Sequence, residues 1–506
     1  MKKVFIKYNP YKLETEITVE GKAPAHNSQL TEKAAPGNGL QEWIEELPKI
    51  LRNEYDDDSF EITFHGIMLD YDDIAEIFNR ALELGIISNV ELKWIPAKET
   101  ADKEKLIEAV FDEIIHGPFE ELRSEDIKKD FALAQSEDLE VYFVSANGAG
   151  KSTLINSMLG INLMPTRQEA CTATLVRIRN NKRCDWNALA YDIEGNLVGF
   201  YPAIDGNTMN GLNSDPNVST IKVNGNIPFV QSDDVSLVLI DTPGPNNSRD
   251  PEHGKIQRRL LGSSSESLVL YIMTGTFGND DDNTLLKRVA DSMKVNGKLS
   301  KDRLIFVVNK MDDMCFGDDT TEDILQYIKE FLKTHYGIIN SNVFPAAALP
   351  ALNIQLMKKS AGLDEDTIDE TEFSVRKLNR NEQRHFDKFA PLPLSVKGQI
   401  KDQLTKAEND NDKEQQALIH TGVPSIEAAI CQYYNHYVRP RRIKSTVDTL
   451  MLHVDASGVI EKCKTKISEM IMQADSDEAL RMIHEIEAKY EWINYIRNRL
   501  NEILEI

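Results

Sequence analysis

The chain has 506 residues, 41% of them hydrophobic, and a formal net charge of -24 at pH 7. This length predicts roughly three domains, and the hydrophobic fraction is sufficient for sizeable cores. The negative charge argues against nucleic acid as the main partner, and against an anionic membrane unless a local basic patch compensates.

The sequence shows neither a secretion signal nor a membrane span. Residues 1–7 are too short and too interrupted for a signal peptide, and no apolar run approaches the ~18 residues of a span. We therefore expect a cytoplasmic protein, with any membrane contact peripheral.

The cysteines have no pairing or metal spacing, which suits a reducing cytosol; they are Cys171, Cys184, Cys315, Cys431 and Cys463. A basic cluster is more often solvated or paired than membrane-bound; it comprises Arg439, Arg441, Arg442 and Lys444.

Residues 1–96 are predicted to form a small α/β module. Its pattern indicates strands over residues 3–8, 14–19, 60–64 and 89–95 and helices over residues 40–51 and 71–84. The module carries no catalytic constellation, so we expect it to bind a partner or support assembly. Residues 101–136, which follow, are predicted to be mainly helical because their apolar residues fall on one stripe.

A phosphate-binding loop is predicted at residues 145–152, with the sequence SANGAGKS. An apolar run of strand length precedes it and a helical pattern follows it, which is the context that such a loop requires. Lys151 would supply charge to the β and γ phosphates, and Ser152 would offer its hydroxyl to Mg²⁺. The motif usually begins with Gly, so Ser145 predicts a different backbone conformation at the start of the loop. The predicted nucleotide contacts here are Ser145, Ala146, Asn147, Gly148, Ala149, Gly150, Lys151, Ser152 and Thr153.

A nucleotide-sensing loop is predicted in the polar stretch of residues 165–174. Thr172 is the preferred hydroxyl for contact with Mg²⁺ and the γ-phosphate. Thr174 is the competing choice, but it begins an alternating strand pattern. For both residues the alternative is a β-branched strand residue without chemistry.

Asp241 and Gly244 belong to the sequence DTPG, which follows a buried-strand pattern at residues 235–240. The Asp241 carboxylate would thus emerge at the C-terminal end of a strand, where open α/β sheets bind ligands. There Asp241 can hold Mg²⁺ through water, and the Gly244 N–H can sense the γ-phosphate.

The sequence NKMD at residues 309–312, called the base loop below, ends a third apolar strand and discriminates between bases. An ionised carboxylate only accepts hydrogen bonds, and guanine presents adjacent N1–H and N2–H donors that adenine cannot match. Asp312 therefore argues for GTP over ATP. Lys310 would lay its stem against the base, and Asn309 would tie this loop to the phosphate loop.

Residues 351–420 are polar and acidic and are predicted to be an insertion that forms a surface excursion. Their acidic runs lack the twelve-residue loop and central Gly of a Ca²⁺ site. Near the C-terminus, a stripe of residues three and four apart predicts a bundle or coiled-coil seam; it comprises Ile483, Ile486, Tyr490, Ile493, Arg497, Leu500 and Leu504. The pattern still runs at Ile506, which predicts a stalk that is short, completed by a partner or truncated.

Four segments make the chain resemble a bacterial dynamin-like protein: residues 152–160, 165–174, 241–250 and 421–427. The resemblance covers residues 138–445 well and the flanking helices loosely, whereas residues 1–96 match nothing that we can name. It implies a GTPase whose G domains dimerise across the nucleotide and whose helical stalk moves during turnover. Many members of this family remodel membranes, but some lack a membrane-inserting element.

The resemblance also implies particular roles. A helix before the G domain would pack with helices after it, so residues 101–136 should meet the segment after Pro440. The last nucleotide loop of the family would fall at Ala347 and Ala348, whose N–H groups could meet the guanine carbonyl. Eukaryotic dynamins have a catalytic Gln in the phosphate loop where this chain has Asn147, which is one methylene shorter.

The predicted fold class is α/β: a P-loop GTPase domain, with a mostly parallel sheet flanked by helices, a small N-terminal α/β module and a C-terminal helical bundle or stalk. The predicted domains are the module at residues 1–96, a bundle or neck helix at residues 101–136, a dynamin-type GTPase domain at residues 138–438 and a helical stalk at residues 439–506.

We expect a GTP-hydrolysing protein in which Lys151, Ser152, Thr172 and Asn147 act on the transferring phosphoryl group. Mg²⁺ would be held by Ser152, Thr172 and, through water, Asp241. GTP and GDP are the expected ligands, and self-association through G domains is the expected assembly. A GTP-gated scaffold that acts with a partner subunit stays open as an alternative. A monomeric regulatory GTPase and an ATPase are further alternatives, the former a poor electrostatic match for the ribosome.

Overall fold

The computed structural model describes residues 1–98, 102–136, 138–145, 148–166, 174–182, 185–230, 235–242, 267–275, 286–287, 290–291, 293, 297–313, 320–360, 362–456, 465, 468 and 477–506. The chain divides into two compact units. The first comprises Met1–Leu40, Glu46–Glu137 and His436–Ile506, and the second comprises Gln41–Glu45 and Asp138–Asn435.

The first unit contains a four-stranded sheet of β1 (Lys2–Asn9), β2 (Glu14–Val19), β3 (Ser59–Gly66) and β4 (Asn89–Pro96). The strand order is β2-β1-β3-β4, with β1 and β2 antiparallel and the other pairs parallel. Alternate residues of β1 and β3 are buried, because successive side chains of a strand point to opposite faces. All four predicted strands are present.

The helices that lie between β2 and β4 in the chain are Gln29–Lys33, Leu40–Trp43, Leu47–Tyr55 and Met68–Glu83. The prediction of one continuous helix over residues 40–51 is wrong, because a 3-10 turn at Ile44–Glu46 separates two helices. Pro48 lies in the first turn of the second helix. Proline is tolerated there because the first N–H groups of a helix have no intrahelical partner, and its fixed φ favours a new helix start.

Helix Met68–Glu83 contributes two aspartates to a buried polar cluster with His436. His436 Nε2 lies 2.9 Å from Asp70 Oδ1 and 3.5 Å from Asp73 Oδ2. All three residues are buried. Asp70 and His436 are 366 positions apart, so no local pattern in the sequence predicts that they meet.

We expect Asp70→Ala to lower the free energy of unfolding by about 1–3 kcal/mol, because truncation removes the buried 2.9 Å hydrogen bond between Asp70 and His436. Urea unfolding followed by circular dichroism measures the loss. Glu76→Ala is the control on the same helix, since Glu76 is exposed and forms an ion pair with Arg80 Nη2 at 3.6 Å. That pair is expected to contribute less than about 1 kcal/mol. Equal losses in the two variants would contradict a stabilising role of the cluster.

The rest of the first unit is helical: Lys103–His116, Glu125–Gln135, Arg439–Ala456 and Asp477–Ile503, with a 3-10 turn at Glu120–Arg123. Apolar residues of these four helices share one core, to which Tyr11 also belongs. The predicted packing of residues 101–136 against the segment after Pro440 is thereby confirmed. Arg497, the polar member of the C-terminal stripe, lies with its Nε 3.4 Å from Asp455 Oδ1.

The carbonyl groups at the end of helix Asp477–Ile503 are satisfied by residues from the start of the chain. Lys103 Nζ donates to the Ile503 and Glu505 carbonyls, the second at 2.8 Å, and lies 4.4 Å from the centre of the Tyr11 ring. Asn9 Nδ2 donates to the Leu504 carbonyl at 2.8 Å. The last carbonyls of a helix lack intrahelical partners. These contacts therefore hold the C-terminal helix end to the N-terminal residues of the same unit.

The second unit contains a nine-stranded sheet in the order β13-β12-β11-β5-β10-β6-β9-β7-β8. From β13 to β10 all neighbours are parallel, and β10 is antiparallel to β6. Strands β10, β11 and β12 are buried along their whole length, as expected for strands covered on both faces. The strands are β5 Leu139–Ser145, β6 Leu175–Asn180, β7 Asn187–Tyr191, β8 Leu197–Tyr201, β9 Thr220–Gly225, β10 Leu237–Asp241, β11 Leu268–Met273, β12 Leu304–Val308 and β13 Asn342–Pro345.

Helices flank this sheet, and the predicted fold class is confirmed. The described α-helices of the second unit are Lys151–Leu159, Gly206–Ser214, Gly297–Asp302, Thr321–Tyr336, Ala348–Lys358, Glu365–Arg380, Phe386–Phe389, Leu394–Asn409, Lys413–His420 and Val423–Tyr433. A π-helical turn at Tyr434–Val438 comes next in the chain, at the boundary between the two units. No described helix carries an apolar stretch of the length that a lipid bilayer requires.

The region predicted as a surface excursion, residues 351–420, is instead built from packed helices. Thr371, Val375 and Leu378 of helix Glu365–Arg380 are buried. The acidic runs begin helices: Asp364 accepts from the Thr367 N–H and Asp412 from the Gln415 N–H, both at 2.8 Å. Aspartate at an N-cap satisfies an unpaired backbone donor and complements the helix dipole. The acidity that suggested a solvated excursion therefore comes partly from helix caps.

Candidate nucleotide site

The predicted nucleotide motifs lie at one edge of the nine-stranded sheet. β5 ends at Ser145, β10 at Asp241, β12 immediately before Asn309 and β13 three residues before Ala348. These strands are parallel, so their carboxyl ends share that edge. Ligands of open α/β sheets bind outside the carboxyl ends of the strands. Ala146, Asn147, Thr172 and Gly244 lie outside the described residues, and their predicted roles stay predictions.

The described part of the loop after β5, residues 148–150, has a backbone suited to phosphate binding. Gly148 and Gly150 have φ angles of 79° and 88°, in the left-handed region that favours glycine. Helix Lys151–Leu159 starts directly after Gly150, with Ser152 and Thr153 in its first turn. The first N–H groups of a helix lack intrahelical partners and its N-terminus carries partial positive charge, so this end is suited to an anion.

Lys151 and Asp241 form an ion pair between this helix and the end of β10. The Asp241 side chain is fully buried and that of Lys151 is 10% exposed. Burial lowers the pKa of the Lys151 ammonium to about 7, whereas an adjacent anionic oxygen stabilises its charged form. The charge of Lys151 at neutral pH therefore depends on an anionic neighbour, which a nucleotide phosphate would also supply.

The oxygens near Lys151 fit a magnesium ion. Asp241 Oδ2 is buried and has no hydrogen-bond partner among the described residues. A buried carboxylate oxygen without a donor is costly, and an ion or its bound water would satisfy it. Mg²⁺ prefers a few carboxylate and hydroxyl oxygens together with water and phosphate. Asp241 and Ser152 provide such a donor set.

Asn309 joins three loops of the site. Its side chain is 2% exposed. Nδ2 donates to the Ala149 carbonyl at 2.9 Å, and Oδ1 accepts from the Ala348 N–H at 3.1 Å. This is the tie that the sequence predicted between the base loop and the phosphate loop, extended to the loop after β13.

The contact of Asn309 with the phosphate loop leaves no room for a side chain at Gly150. A Cβ built on Gly150 would lie 2.3 Å from Asn309 Nδ2, whereas one on Gly148 would meet nothing within 4 Å. Asn309 cannot yield cheaply, because both ends of its amide are hydrogen-bonded.

We expect Gly150→Ala to destabilise the nucleotide-free protein by about 2–4 kcal/mol, since backbone strain adds to the loss of a buried hydrogen bond. Gly148→Ala is the matched control, with a similar positive φ but no clash, and should cost about 1–2 kcal/mol. Denaturant unfolding compares the two variants. Equal losses would mean that the Asn309 contact contributes nothing.

The N–H groups of Ala347 and Ala348, predicted to meet the guanine carbonyl, both have partners within the protein. The Ala347 N–H donates to the Thr421 carbonyl at 2.9 Å, and the Ala348 N–H donates to Asn309 Oδ1. Neither N–H is left for a guanine carbonyl in this arrangement. Both residues are buried, and Ala348 is tied to the base loop through Asn309.

Asp312 lies at the end of the base loop and is half-buried. Burial raises the pKa of its carboxyl to about 6, and the charge of Asp313 adds to this effect. Lys377 and Arg384 oppose it. Their side chains donate to the Asp312 main-chain carbonyl at 3.0 Å and 2.5 Å. Sequence reasoning missed both cations, since they lie 65 and 72 positions further along the chain with no motif around them.

The structure also shows the burial, backbone or contacts of three further predicted residues. Ser145 is buried at the last position of β5. Lys310 is exposed and has a φ of 63°, so its backbone turns sharply after β12. Thr174, the competing choice to Thr172, is buried with its Oγ1 3.5 Å from the Val218 carbonyl. That position gives Thr174 a packing role beside β6.

The mixed sheet, the glycine loop that leads into a helix and the Asn309 tie define a P-loop GTPase fold. Residues 141–311 match the family model described as Dynamin family. The resemblance to dynamin-like proteins that the sequence predicted is thus confirmed over residues 141–311.

One similar curated protein, "Uncharacterized protein in xynA 3'region" of Caldicellulosiruptor sp. (strain Rt8B.4), is 24% identical over 272 residues. The match covers 52% of this chain and 63% of that relative, which is less than two thirds of its length.

Two similar solved structures are described as an oligomerised bacterial dynamin pair that provides a mechanism for the long-range sensing and tethering of membranes. Both are 14% identical to this chain, with a TM-score of 0.36. The match covers 78% of this chain and 61% of the first structure, and 80% of this chain and 75% of the second. Likeness at this level says nothing about what this chain binds.

Proposed function

We propose that this protein binds GTP and hydrolyses it to GDP and phosphate with the help of Mg²⁺. The observation that carries the proposal is the Asn309 junction, in which one buried amide bonds the phosphate loop and the loop after β13 to the base loop. A ligand that spans the phosphate loop and the base loop is a nucleotide, and Asp312 selects guanine among the bases.

The chain's own groups would act mainly by positioning and electrostatics, as phosphoryl transfer requires. Lys151 and the N–H groups of residues 147–150 would stabilise charge on the transferring phosphoryl group. Ser152, Thr172 and, through water, Asp241 would hold Mg²⁺, which neutralises phosphate charge when bound. Asn147 would orient the attacking water. No general base is required, because the transition state is loose and its charge is spread over phosphate oxygens.

We further propose that G domains pair across the nucleotide and that turnover moves the helical segment at residues 439–506. The shared core of the helices in the first unit supports a mechanical link, since residues that precede and follow the G domain in the chain pack together there. Any membrane association would be peripheral. The N-terminal residues of the same unit are proposed to bind a partner or to support assembly.

The test is phosphate release from GTP per molecule of protein over a wide range of protein concentration. A specific rate that rises with concentration is expected, because pairing would complete the site. A rate independent of concentration would contradict the dimerisation, and would indicate a self-sufficient switch. Tight binding of GTP without release would contradict the hydrolase and favour the GTP-gated scaffold.

A further inference from the structure

Two cationic side chains from the helical region at residues 351–420 contact the main chain of the base loop. Lys377 Nζ and Arg384 Nη1 donate to the Asp312 main-chain carbonyl at 3.0 Å and 2.5 Å. Arg384 is 8% exposed and Lys377 is half-buried. These hydrogen bonds use the main-chain oxygen, so they hold the loop without occupying the carboxylate that would meet the base.

Gln383, the residue before Arg384, is hydrogen-bonded to another helix of the second unit. The Thr321 N–H donates to Gln383 Oε1 at 3.0 Å, and the Thr321 hydroxyl donates to the Gln383 carbonyl. Thr321 is fully buried. The Gln383 N–H in turn donates to Asn381 Oδ1 at 3.0 Å. Lys377 is fixed by its own helix, in which Val375 and Leu378 are buried. Neither cation therefore depends on a freely moving loop.

The charges around Asp312 act in opposite directions. Burial and the neighbouring Asp313 carboxylate raise the pKa of Asp312, and Lys377 and Arg384 lower it. Among the described residues, Asp313, Lys377 and Arg384 are thus the charged groups that act on Asp312 most strongly. Its carboxylate must be ionised to accept hydrogen bonds from both guanine N1–H and N2–H, because a protonated carboxyl would turn a donor toward a donor. A half-buried carboxyl without compensating cations would protonate near neutral pH.

We infer that Lys377 and Arg384 are positioning residues for base selection, which keep the Asp312 carboxylate ionised and aimed at guanine. The inference rests on the proposed function and deepens it. It also assigns a task to part of the region predicted to be a surface excursion: residues 365–384 carry the electrostatic support of the base loop.

The experiment measures the ratio of GTP to ATP affinity between about pH 5 and about pH 8.5, in the wild type and in matched variants of the full-length protein. Taking the ratio cancels the titration of the phosphate groups, which both nucleotides share. Arg384→Gln removes the charge and keeps hydrogen-bonding capacity, whereas Arg384→Lys keeps the charge. Lys377→Gln removes the second cation, and Asp313→Asn removes the opposing carboxylate.

In the wild type, guanine preference should fall as the pH drops through about 6, where Asp312 takes up its proton. Removing a cation raises the pKa of Asp312, so the midpoint should move upward by about one pH unit in Arg384→Gln and in the same direction in Lys377→Gln. Arg384→Lys should keep the wild-type midpoint. Asp313→Asn should move the midpoint downward.

A purely structural role predicts a different result. Arg384→Gln would then weaken GTP binding by the same factor at every pH, with no change of midpoint, and this outcome would overturn the inference. If Arg384→Gln does not fold, Lys377→Gln and Asp313→Asn, the latter at an exposed position, test the inference. It predicts that these two variants move the pH midpoint of guanine preference in opposite directions. A wild type without guanine preference at any pH would instead refute the proposed function itself, and the two failures are thus distinguishable.

Discussion

Lys151→Ala is expected to abolish tight nucleotide binding. Lys151 is the first residue of the helix that follows the phosphate loop, and its ammonium is paired with buried Asp241. Truncation removes the cation that would meet the β and γ phosphates and leaves the Asp241 carboxylate buried without a partner, adding repulsion toward phosphate. Truncating one partner of a buried charge pair across a binding site costs about 2–5 kcal/mol of binding free energy, which corresponds to an affinity loss of roughly 30-fold to several thousand-fold.

Isothermal titration calorimetry with GTP and Mg²⁺ measures this loss. Lys359→Ala is the matched control, because Lys359 Nζ donates to the carbonyl of Gly160, at the opposite end of the same helix, at 2.8 Å. That variant should keep nearly wild-type affinity. A thermal unfolding scan of the nucleotide-free variants separates lost binding from lost folding. GTP affinity that survives in a folded Lys151→Ala variant would refute the assignment of the phosphate site.

Asp312→Asn is expected to remove the preference for guanine. The asparagine amide offers one acceptor and one donor, so its NH₂ group would face the guanine N2–H donor, and a buried polar clash replaces a hydrogen bond. We expect GTP affinity to fall about 100-fold or more, as sites built to hydrogen-bond a polar group reject a mismatched partner strongly. Xanthosine triphosphate carries a carbonyl in place of that amino group, so its affinity should rise in the variant.

Competition between a fluorescent GTP analogue and unlabelled GTP, ATP and xanthosine triphosphate measures this change. Asp313→Asn is the control, since Asp313 is adjacent but exposed and should keep its preference for GTP near neutral pH. If Asp312→Asn retains the wild-type order of nucleotides, Asp312 does not read the base. If the wild type prefers ATP, the ATPase alternative holds.

The strands and loops that carry the predicted nucleotide motifs could be predicted from the sequence because their signals are local. β5, β10, β11 and β12 are short apolar runs, and the predicted loops at residues 145–152, 241–244 and 309–312 begin at the ends of three of them. Strand and loop signals of this kind depend on residues that are neighbours in the sequence, so they can be recognised without knowing the tertiary structure. The Asn309 tie was also predictable, because the motif fixes the residue type and the sheet edge fixes its neighbours.

Other features depend on residues that are distant in the chain. Lys377 and Arg384 reach the base loop from a region whose composition resembles a solvated excursion, since its helix caps are acidic. The Asp70 and His436 cluster joins positions near opposite ends of the chain. For Ala347 the position was predicted, but the hydrogen bond of its N–H to Thr421 was not, because backbone donors carry no sequence signal of their partners.

Phosphate release from GTP and from ATP, measured side by side with the Lys151→Ala variant as the blank, tests the central claim most directly. The account predicts release from GTP in the presence of Mg²⁺, little release from ATP, and none above background in the variant. Release that the variant retains, or equal release from the two nucleotides, would contradict it.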